Sequence, residues 1–454
     1  MKKTVLVALC ASTLGLGACE LEVPDLNNPS LESLRERPTP SAVYAATTGL
    51  LIGSRGGKSA QNGYVAHLGI LGRESYTFDA ADPRFVTEML ASPSLDPGSP
   101  AFGGNLWTQP YANIGNANSV LVALDKVSGI EAQDKEAIRG FAKTMQALDF
   151  LMVAVTRDTN GGPIDVADGI SRLAPIETKA RLLEHVSQLL DESKAHLTAS
   201  GAKFPFPLSS GFTGYDTPAT FVKFNRAIKA RNEVYRQNWT EALQALSESF
   251  LDKTKPLTEG VYYAYGTGSG DATNGLTSPN IFAHPSIVTD ATNNPDRQKA
   301  NCTPDAAQPF KCLDDRISRK LKVVAPRTYQ GLTSNYMFRM YETNTAPVPI
   351  IRNEGLILLR AEANIQLGNF AAAEEDINFI RERSGGLPPV SLAGENAVDI
   401  LLAERRYSLL FEGGHRWIDM RRYNRLNTLP KDNPDHVIHE RFPIPVAETD
   451  ARQP

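Results

Sequence analysis

Segment 353–383 most constrains the fold, because its apolar residues recur at the spacing of two packed helices. The first helix is predicted to present Leu356, Leu359, Ala363 and Leu367, and the second to present Phe370, Ala373, Ile377 and Ile380. Apolar residues three or four positions apart share one face of a helix. Gly368 stands between the two runs, and glycine readily takes the left-handed conformation that ends a helix. The pattern predicts a tetratricopeptide-type helix pair, which must stack on neighbouring pairs to bury its second face.

The same apolar spacing predicts further helices along the chain. They lie at 134–156, 178–197, 221–235 and 241–246, and a last helical block covers 396–425 with an interruption at Gly413-Gly414. Thr240 is a suitable N-cap for the helix at 241–246. Two long segments, 77–105 and 255–350, are instead rich in Gly, Pro, Asn, Asp and Thr. Loops of such length are uncommon in compact domains unless they are functional.

These features predict a mainly all-α fold, a tetratricopeptide-like helix-pair scaffold with large irregular loop insertions. Helix pairs are expected at about 107–250 and 353–425, within a single domain that covers 41–454. A rigid scaffold with elaborate loops usually binds its ligands with the loops. Hydrophobic content of 41% and charged content of 22% suit a folded domain. A formal net charge of −4 argues against a nucleic-acid partner, which would require clustered Lys and Arg.

The N-terminal residues have the pattern of an export signal. Two lysines precede residues 5–16, which are mostly apolar and too few to span a bilayer as a helix. Small residues then precede Cys19, as in a bacterial lipobox, where the cysteine thiol receives a diacylglyceryl group before cleavage. We therefore interpret 1–18 as a lipoprotein signal peptide and 19–40 as an extended tether that is lipidated at Cys19. The alternative is an ordinary signal peptide followed by a chance cysteine.

Two cysteines, Cys302 and Cys312, lie far from the N-terminal region in a loop rich in Pro, Asp and Asn. Outside the cytoplasm such a pair can oxidise. Closing a loop of about ten residues would stabilise the fold by roughly 2–3 kcal/mol. The alternative of two free buried thiols fits the polar surroundings less well. Two cysteines alone are weak evidence for a metal site.

Motifs near the C-terminus resemble the SusD/RagB family. They are Ile351-Arg352-Asn353-Glu354, Ala361-Glu362-Ala363, Arg381-Glu382-Arg383-Ser384, Glu404-Arg405-Arg406, Phe411-Glu412-Gly413, His415-Arg416-Trp417-Ile418-Asp419 and Phe442-Pro443-Ile444-Pro445. An earlier run, made of Trp107, Tyr111, Ile114 and Asn118, is similar to an early helix of the same family. The central part of the chain carries no recognisable motif of the family.

The resemblance implies a lipid-anchored protein of the outer membrane that faces the cell exterior. Members of this family cap a SusC-like TonB-dependent transporter, capture a nutrient that is usually an oligosaccharide, and are not enzymes. We therefore expect this chain to bind a nutrient, to deliver it to such a transporter and to require no cofactor. One alternative is a tetratricopeptide-like scaffold that binds peptides or organises an assembly. A surface glycosidase is a further alternative.

The block 404–422 holds carboxylates, a histidine and several arginines, which could suggest catalysis. A glycosidase requires two carboxylates that face each other across a cleft. Arginines near Glu404 and Glu412 would pair with these carboxylates, so we expect a structural ion-pair network. We interpret His436 and His439 as part of a surface turn, because no third ligand for zinc stands nearby. The sequence therefore predicts no catalytic residue and no metal site.

Sugar binding requires aromatic faces that stack on pyranose rings and polar groups that bond to hydroxyls. The candidate ligand-binding residues in and near the loop segments are Arg73, Glu74, Tyr76, Phe78, Phe102, Tyr263 and Tyr265, with Tyr262, Tyr329 and Tyr336 as further aromatics. The alternative is that most of them pack the loops onto the scaffold. Trp107, Trp239 and Trp417 lie in helical motifs and are interpreted as core residues. Acidic and amide side chains between Asp271 and Asp296 could hold calcium, although their spacing is not that of an EF-hand.

Overall fold

The structure, a computed structural model, describes residues 31–167, 173–269, 271–392 and 396–452. The interpretations of the signal peptide and of Cys19 concern residues outside these ranges. The helices are α1 (Leu31–Glu36), α2 (Pro40–Arg55), α3 (Tyr64–Leu71), α4 (Arg84–Thr87), α5 (Asn105–Lys126), α6 (Ala132–Arg157), α7 (Lys179–Ala199), α8 (Pro218–Arg236), α9 (Trp239–Ser247), α10 (Ser286–Asn293), α11 (Asp315–Lys320), α12 (Asn353–Gln366), α13 (Phe370–Ile380), α14 (Ala397–Ser408), α15 (His415–Arg422) and α16 (Val446–Asp450). The strands are β1 (Ser75–Thr77), β2 (Gly162–Pro163), β3 (Ile176–Glu177), β4 (Gly260–Tyr263), β5 (Ile281–Ala283), β6 (Leu321–Tyr329), β7 (Leu332–Phe338) and β8 (Val348–Arg352).

Consecutive helices stack to form the scaffold. Each of α5 to α8 packs on the next, and α12 continues the stack by packing on α8 and α9. α12 also pairs with α13 and α14. The second half of α6 lies inside the core, since its residues from Phe150 to Arg157 are all buried. The predicted mainly helical scaffold and the helix pair of 353–383 are therefore confirmed. No helix in the described ranges is long and apolar enough to cross a membrane.

The loop-rich segments contain more regular structure than the sequence predicts. β6 and β7 form a hairpin across Gln330-Gly331, where both residues have positive φ, 50° and 77°. Two consecutive left-handed residues match the twist of paired strands. β1 pairs antiparallel with β5, placing Tyr76 opposite Phe282, and β4 pairs antiparallel with β8. These short ladders join segments far apart in the sequence, so no local apolar pattern could reveal them.

Two details of the helical predictions change in the structure. α9 begins at Trp239 with Asn238 in the N-cap position, so the prediction that Thr240 caps this helix is wrong. Trp107 and Trp417 are buried, as expected of core residues. Trp239 is only half-buried and packs at the edge of the core.

Part of the predicted tether is helical and packed against the scaffold. Leu34 of α1 is buried, and Arg35 Nε donates a hydrogen bond of 3.0 Å to Ser119 Oγ of α5. Lys126 Nζ, at the end of α5, donates to the backbone oxygen of Arg35 at 2.8 Å. α1 is therefore fixed to α5, and α2 already begins at residue 40. The prediction of an extended tether is wrong for the residues of α1.

Cys302 and Cys312 form a disulfide, with their Cα atoms 5.4 Å apart. The bridge closes the polar loop that precedes α11. Within that loop the backbone N–H of Lys299 donates to the carbonyl of Cys312 at 2.8 Å. The pairing considered from the sequence is thus present, and it fixes the start of the segment that carries Asp314 and Arg316.

A buried ion-pair network connects α14 to the segments around it. Glu404 is fully buried, and its carboxylate accepts hydrogen bonds from Arg297 at 2.5 Å, Arg316 at 2.6 Å and Arg381 at 2.8 Å. Burial alone would raise the pKa of Glu404, but the guanidinium groups of Arg316 and Arg297 outweigh it and lower the pKa to about 2. Glu404 is therefore ionised at every physiological pH.

A second part of the network holds the Phe411-Glu412-Gly413 motif. Glu412 accepts from Arg352 Nε at 2.8 Å and from Lys320 Nζ at 2.7 Å. Burial opposes the charge of this carboxylate, but Arg352 and Lys320 together hold the pKa of Glu412 below its usual value. On the same helix as Glu404, Arg405 Nε donates to Asp419 of α15 at 2.6 Å. The predicted structural ion-pair network is confirmed, and its carboxylates are bound to cations of the protein itself.

Candidate functional site

Two of the sequence-predicted ligand residues, Arg73 and Glu74, are buried and belong to the framework. Arg73 Nη2 donates to the carbonyl of Val437 at 2.9 Å, and its Nε donates to the carbonyl of Pro430 at 3.1 Å. Glu74 accepts a long hydrogen bond of 3.4 Å from the backbone N–H of Phe411, and burial raises the pKa of its carboxyl. Both side chains are buried, so the structure does not support the prediction that they contact a ligand, and that role stays a prediction.

The aromatic candidates Tyr76, Phe78 and Phe102 are also buried. The rings of Tyr76 and Phe78 stack with centroids 5.3 Å apart, and Phe78 stacks on Phe282 at 5.2 Å. Phe102 packs edge-on against Phe85 at 4.9 Å. These rings join the loop segments to the core, which is the alternative that the sequence left open. They do not present a face to a sugar.

Tyr263 and Tyr265 have different environments. Tyr265 is buried beneath Arg55, whose guanidinium lies 5.9 Å from the ring centroid. Tyr263 is half-buried and lines a largely apolar pocket of about 170 Å³ with Leu208 and Phe212. Of the seven candidates, Tyr263 keeps access to a cavity. A role for it in ligand binding remains a proposal.

Above the buried rings, where β1 and β5 pair, five half-buried polar side chains meet in a group that we term the polar cluster: Gln61, Asp79, Ser278, Asn280 and Arg327. The Gln61 amide donates to Asp79 Oδ2 at 2.6 Å and accepts from Ser278 Oγ at 2.5 Å. Arg327 Nη1 donates to Asn280 Oδ1 at 3.2 Å. Arg327 Nη2 donates to the backbone oxygen of Phe78 at 2.7 Å, which attaches the cluster to the core.

Tyr329 lies beside the polar cluster. It follows Arg327 by two residues on β6, so both side chains project from the same face of the strand. The Tyr329 ring is half-buried, and its centroid is 6.0 Å from that of Phe78 beneath it. The structure thus places a partly exposed aromatic ring next to amide, carboxylate, hydroxyl and guanidinium groups.

This combination suits a neutral polyol. Amides supply both donors and acceptors, Asp79 accepts, and Arg327 donates through a rigid fork. One carboxylate beside one guanidinium leaves the cluster without a large excess of either charge. The hydrogen bonds among the five side chains hold them in place before any ligand arrives, which lowers the entropic cost of binding.

The sequence did not identify the polar cluster, although Tyr329 was among the further aromatics. Gln61 and Ser278 are 217 positions apart in the chain, and Arg327 lies in a segment expected to be irregular. The β1–β5 pairing brings them together, and neither strand exceeds three residues. The useful signal would have been a hairpin prediction for Gln330-Gly331, which fixes Arg327 and Tyr329 on one face.

The histidine and calcium interpretations also change. His436 and His439 are buried, because the intervening chain is held by Arg73, so the prediction of a surface turn is wrong. Asp271 and Asp290 pair separately with arginines from α2 and α14. In the described part of the chain, no three His, Cys, Asp or Glu side chains are gathered as ligands for a metal ion. The calcium hypothesis therefore has no support in these residues.

Residues 327–451 match the family model of the SusD family, named SusD/RagB. This C-terminal region is similar to the SusD/RagB family. The matched region runs from Arg327 of the polar cluster through the buried ion-pair network to α16. The SusD/RagB resemblance of the sequence motifs is confirmed. No curated protein matches the chain.

Solved SusD/RagB structures share the fold over nearly the whole length. A SusD superfamily protein from Bacteroides vulgatus is 14% identical, with a TM-score of 0.66 over 90% of this chain and 97% of the other. Surface glycan-binding protein A from Bacteroides thetaiotaomicron is 15% identical, with a TM-score of 0.66 over 91% and 97%. A laminarin-binding SusD-like protein is 15% identical, with a TM-score of 0.58 over 91% and 98%. At these sequence identities the similarity establishes the fold alone. The ligands in these names are those of the named proteins.

Proposed function

We propose that this chain is a lipid-anchored protein of the outer membrane that faces the cell exterior, binds an oligosaccharide and delivers it to a SusC-like TonB-dependent transporter. The match of residues 327–451 to the SusD family, and the glycan and laminarin binding stated for two structures of the same fold, support the ligand class. The polar cluster beside Tyr329 carries the proposal for this chain, because it offers hydrogen-bonding groups next to an aromatic ring. Delivery to the transporter rests on the family alone.

The polar cluster is expected to contact the oligosaccharide through Arg327. Arg327→Met keeps the aliphatic stem but removes the guanidinium, which can donate to sugar hydroxyls. A hydrogen bond to a charged group contributes about 1.5–3 kcal/mol, so affinity should fall roughly tenfold to a hundredfold. Isothermal titration calorimetry with the glycan selected from a panel of laminarin, starch, xylan and pectin oligosaccharides measures this loss.

Lys322→Met is the matched control, because Lys322 is also a cation on β6. It is partly exposed and lies 3.8 Å from Glu342 in a weak surface pair. This variant should bind the glycan as the unchanged protein does. Equal affinity of Arg327→Met and Lys322→Met would show that the polar cluster does not bind the glycan. If no glycan of the panel binds the unchanged protein, the proposal of an oligosaccharide ligand is wrong.

Lipid attachment is expected to depend on Cys19. Cys19→Ala should abolish labelling by an alkyne analogue of palmitate. It should also release a folded protein from the membrane fraction, because the proposal gives the protein no membrane anchor other than its acyl chains. Glycan affinity should be unchanged. Cys10→Ala is the control, because Cys10 lies in the proposed signal peptide and should leave labelling intact. A Cys19→Ala protein that still carries the label would exclude the lipobox.

The proposal includes binding without catalysis. Glu404 and Glu412, the carboxylates that could have suggested a glycosidase, are buried and each is bound by at least two cations of the protein. A glycosidase acid must instead be able to hold and release a proton near neutral pH. Incubation with the bound oligosaccharide should therefore give no shorter products. Turnover that survives purification and is lost in Asp79→Asn would favour the glycosidase alternative.

A further inference from the structure

A wide cleft lies between the segment before β4, α11 and the C-terminal end of α13. It shares no lining residue with the polar cluster. Its volume is about 1050 Å³, at or above the upper end of the roughly 300–1,000 Å³ of small-ligand pockets. The buried pairs of Arg352 and Lys320 with Glu412 form part of its lining. The cleft is therefore built on the rigid ion-pair network and has room for an extended ligand.

Three exposed cations on the cleft walls have no carboxylate of the described residues within salt-bridge distance. Lys255, Arg319 and Arg383 line the cleft from three different segments, and none of them forms a salt bridge within the described residues. Arg319 donates only to Ser384, at 2.9 Å to its hydroxyl. By contrast, Lys253 at the same cleft is paired with Asp376 at 2.6 Å. The walls thus carry an uncompensated positive charge that complements an acidic ligand.

Aliphatic side chains and prolines make up much of the remaining lining, which also holds three aromatic rings and the hydroxyls of Thr254, Thr258 and Ser384. Leu257, Met340 and Phe379 lie in the cleft together with Pro256 and Pro347. Among the described lining residues there is no Asn or Gln, so the amides that characterise the polar cluster are missing here. Aliphatic side chains and proline suit the side chains of a peptide better than the hydroxyls of a sugar. A Met in the lining adapts to varied apolar partners.

We propose that this cleft docks an extended acidic peptide segment of a partner protein, with Asp or Glu side chains at the three cations and apolar side chains between them. The proposal does not depend on glycan binding at the polar cluster. Charge pairing at the walls would orient the segment, and burial of its apolar side chains would supply most of the affinity. An acidic glycan is the competing ligand that the test must exclude.

The test uses fluorescence anisotropy with a labelled peptide of about ten residues in which Asp and Glu alternate with Leu and Val. The folded chain should bind this peptide and not its twin with Lys in place of each acid. Raising NaCl from about 50 mM to about 500 mM should weaken binding severalfold, because salt screens exposed charges. The triple variant Lys255→Gln/Arg319→Gln/Arg383→Gln should weaken it at least about tenfold.

The matched control changes three exposed cations outside the cleft, as Lys203→Gln/Lys223→Gln/Lys311→Gln. This control should bind the acidic peptide as the unchanged chain does, and both triple variants should keep the glycan affinity. An equal loss of peptide affinity in both triple variants would show that the net charge of the protein alone attracts the peptide, and the proposed site would be wrong. Binding of the basic twin would do the same. Displacement of the peptide by polygalacturonate at similar affinity would overturn the choice of a peptide.

Discussion

Glu404→Gln is expected to lower the free energy of unfolding by about 3–5 kcal/mol, because it removes one partner of a buried ion-pair group. Arg297, Arg316 and Arg381 all donate to this carboxylate, and the side chains of all four residues are almost fully buried. Gln keeps the shape and one acceptor oxygen but not the charge. Arg316 and Arg297 keep a second carboxylate, Asp314, at 2.6 Å and 3.5 Å. Arg381 would be left with no carboxylate partner among the described residues, and Asp314 alone would face the other two guanidinium groups in a poorly solvated site.

Asp399→Asn provides the control for that change, since it removes a carboxylate from the same helix. Asp399 is exposed and pairs with exposed Arg425 at 3.0 Å. Surface pairs of this kind contribute about 0–1 kcal/mol, so the variant should unfold close to the unchanged protein. Urea denaturation followed by circular dichroism measures both. A cost below about 1 kcal/mol for Glu404→Gln would show that water reaches the three arginines.

Gly414→Ala is expected to destabilise the fold by about 2–5 kcal/mol, the sum of a backbone term and a packing term. Gly414 is the N-cap of α15 and has a φ of 70°, a left-handed conformation that costs about 1–2 kcal/mol for alanine. An added Cβ would lie 2.2 Å from Leu68 Cβ in the core. Leu68 is fully buried, so α3 and α15 would have to separate.

Gly368→Ala separates the two terms of that prediction. Gly368 ends α12 with a φ of 77°, but a Cβ there would meet no atom within 4 Å. This variant should lose only the backbone term, about 1–2 kcal/mol. The difference between the two urea midpoints then measures the contact with Leu68. If both variants lose the same amount, α3 and α15 are not held as closely as the structure indicates.

The sequence predicts the helical scaffold well, because its signals are local. The stripe from Leu356 to Ile380 repeats at helical spacing, and the structure forms α12 and α13 there. The role of Glu404 also followed from composition, since a carboxylate among so many arginines must pair. The ladders β1–β5 and β4–β8 could not be predicted, because each strand has five residues or fewer and its partner is distant.

The candidate site shows the same limit more strongly. The aromatic and charged residues of 73–78 have the chemistry of sugar contacts. However, Phe78 is buried in the core, and Arg73 is buried and donates to backbone carbonyls. Residue type does not tell which face of a short strand is covered by another segment. The polar cluster depends on side chains more than 200 positions apart, so only the tertiary structure identifies it.

The packing of α1 on α5 limits the length of the proposed tether between Cys19 and the folded domain. Cys19 and Leu31 are twelve positions apart, and an extended chain spans at most about 3.3–3.6 Å per residue, or about 43 Å in total. An extended tether reaching residue 40 would have allowed nearly twice that distance. If Cys19 is acylated as proposed, the domain is confined to a thin layer above its membrane. Such confinement raises the effective concentration of any transporter in the same membrane, without a new contact.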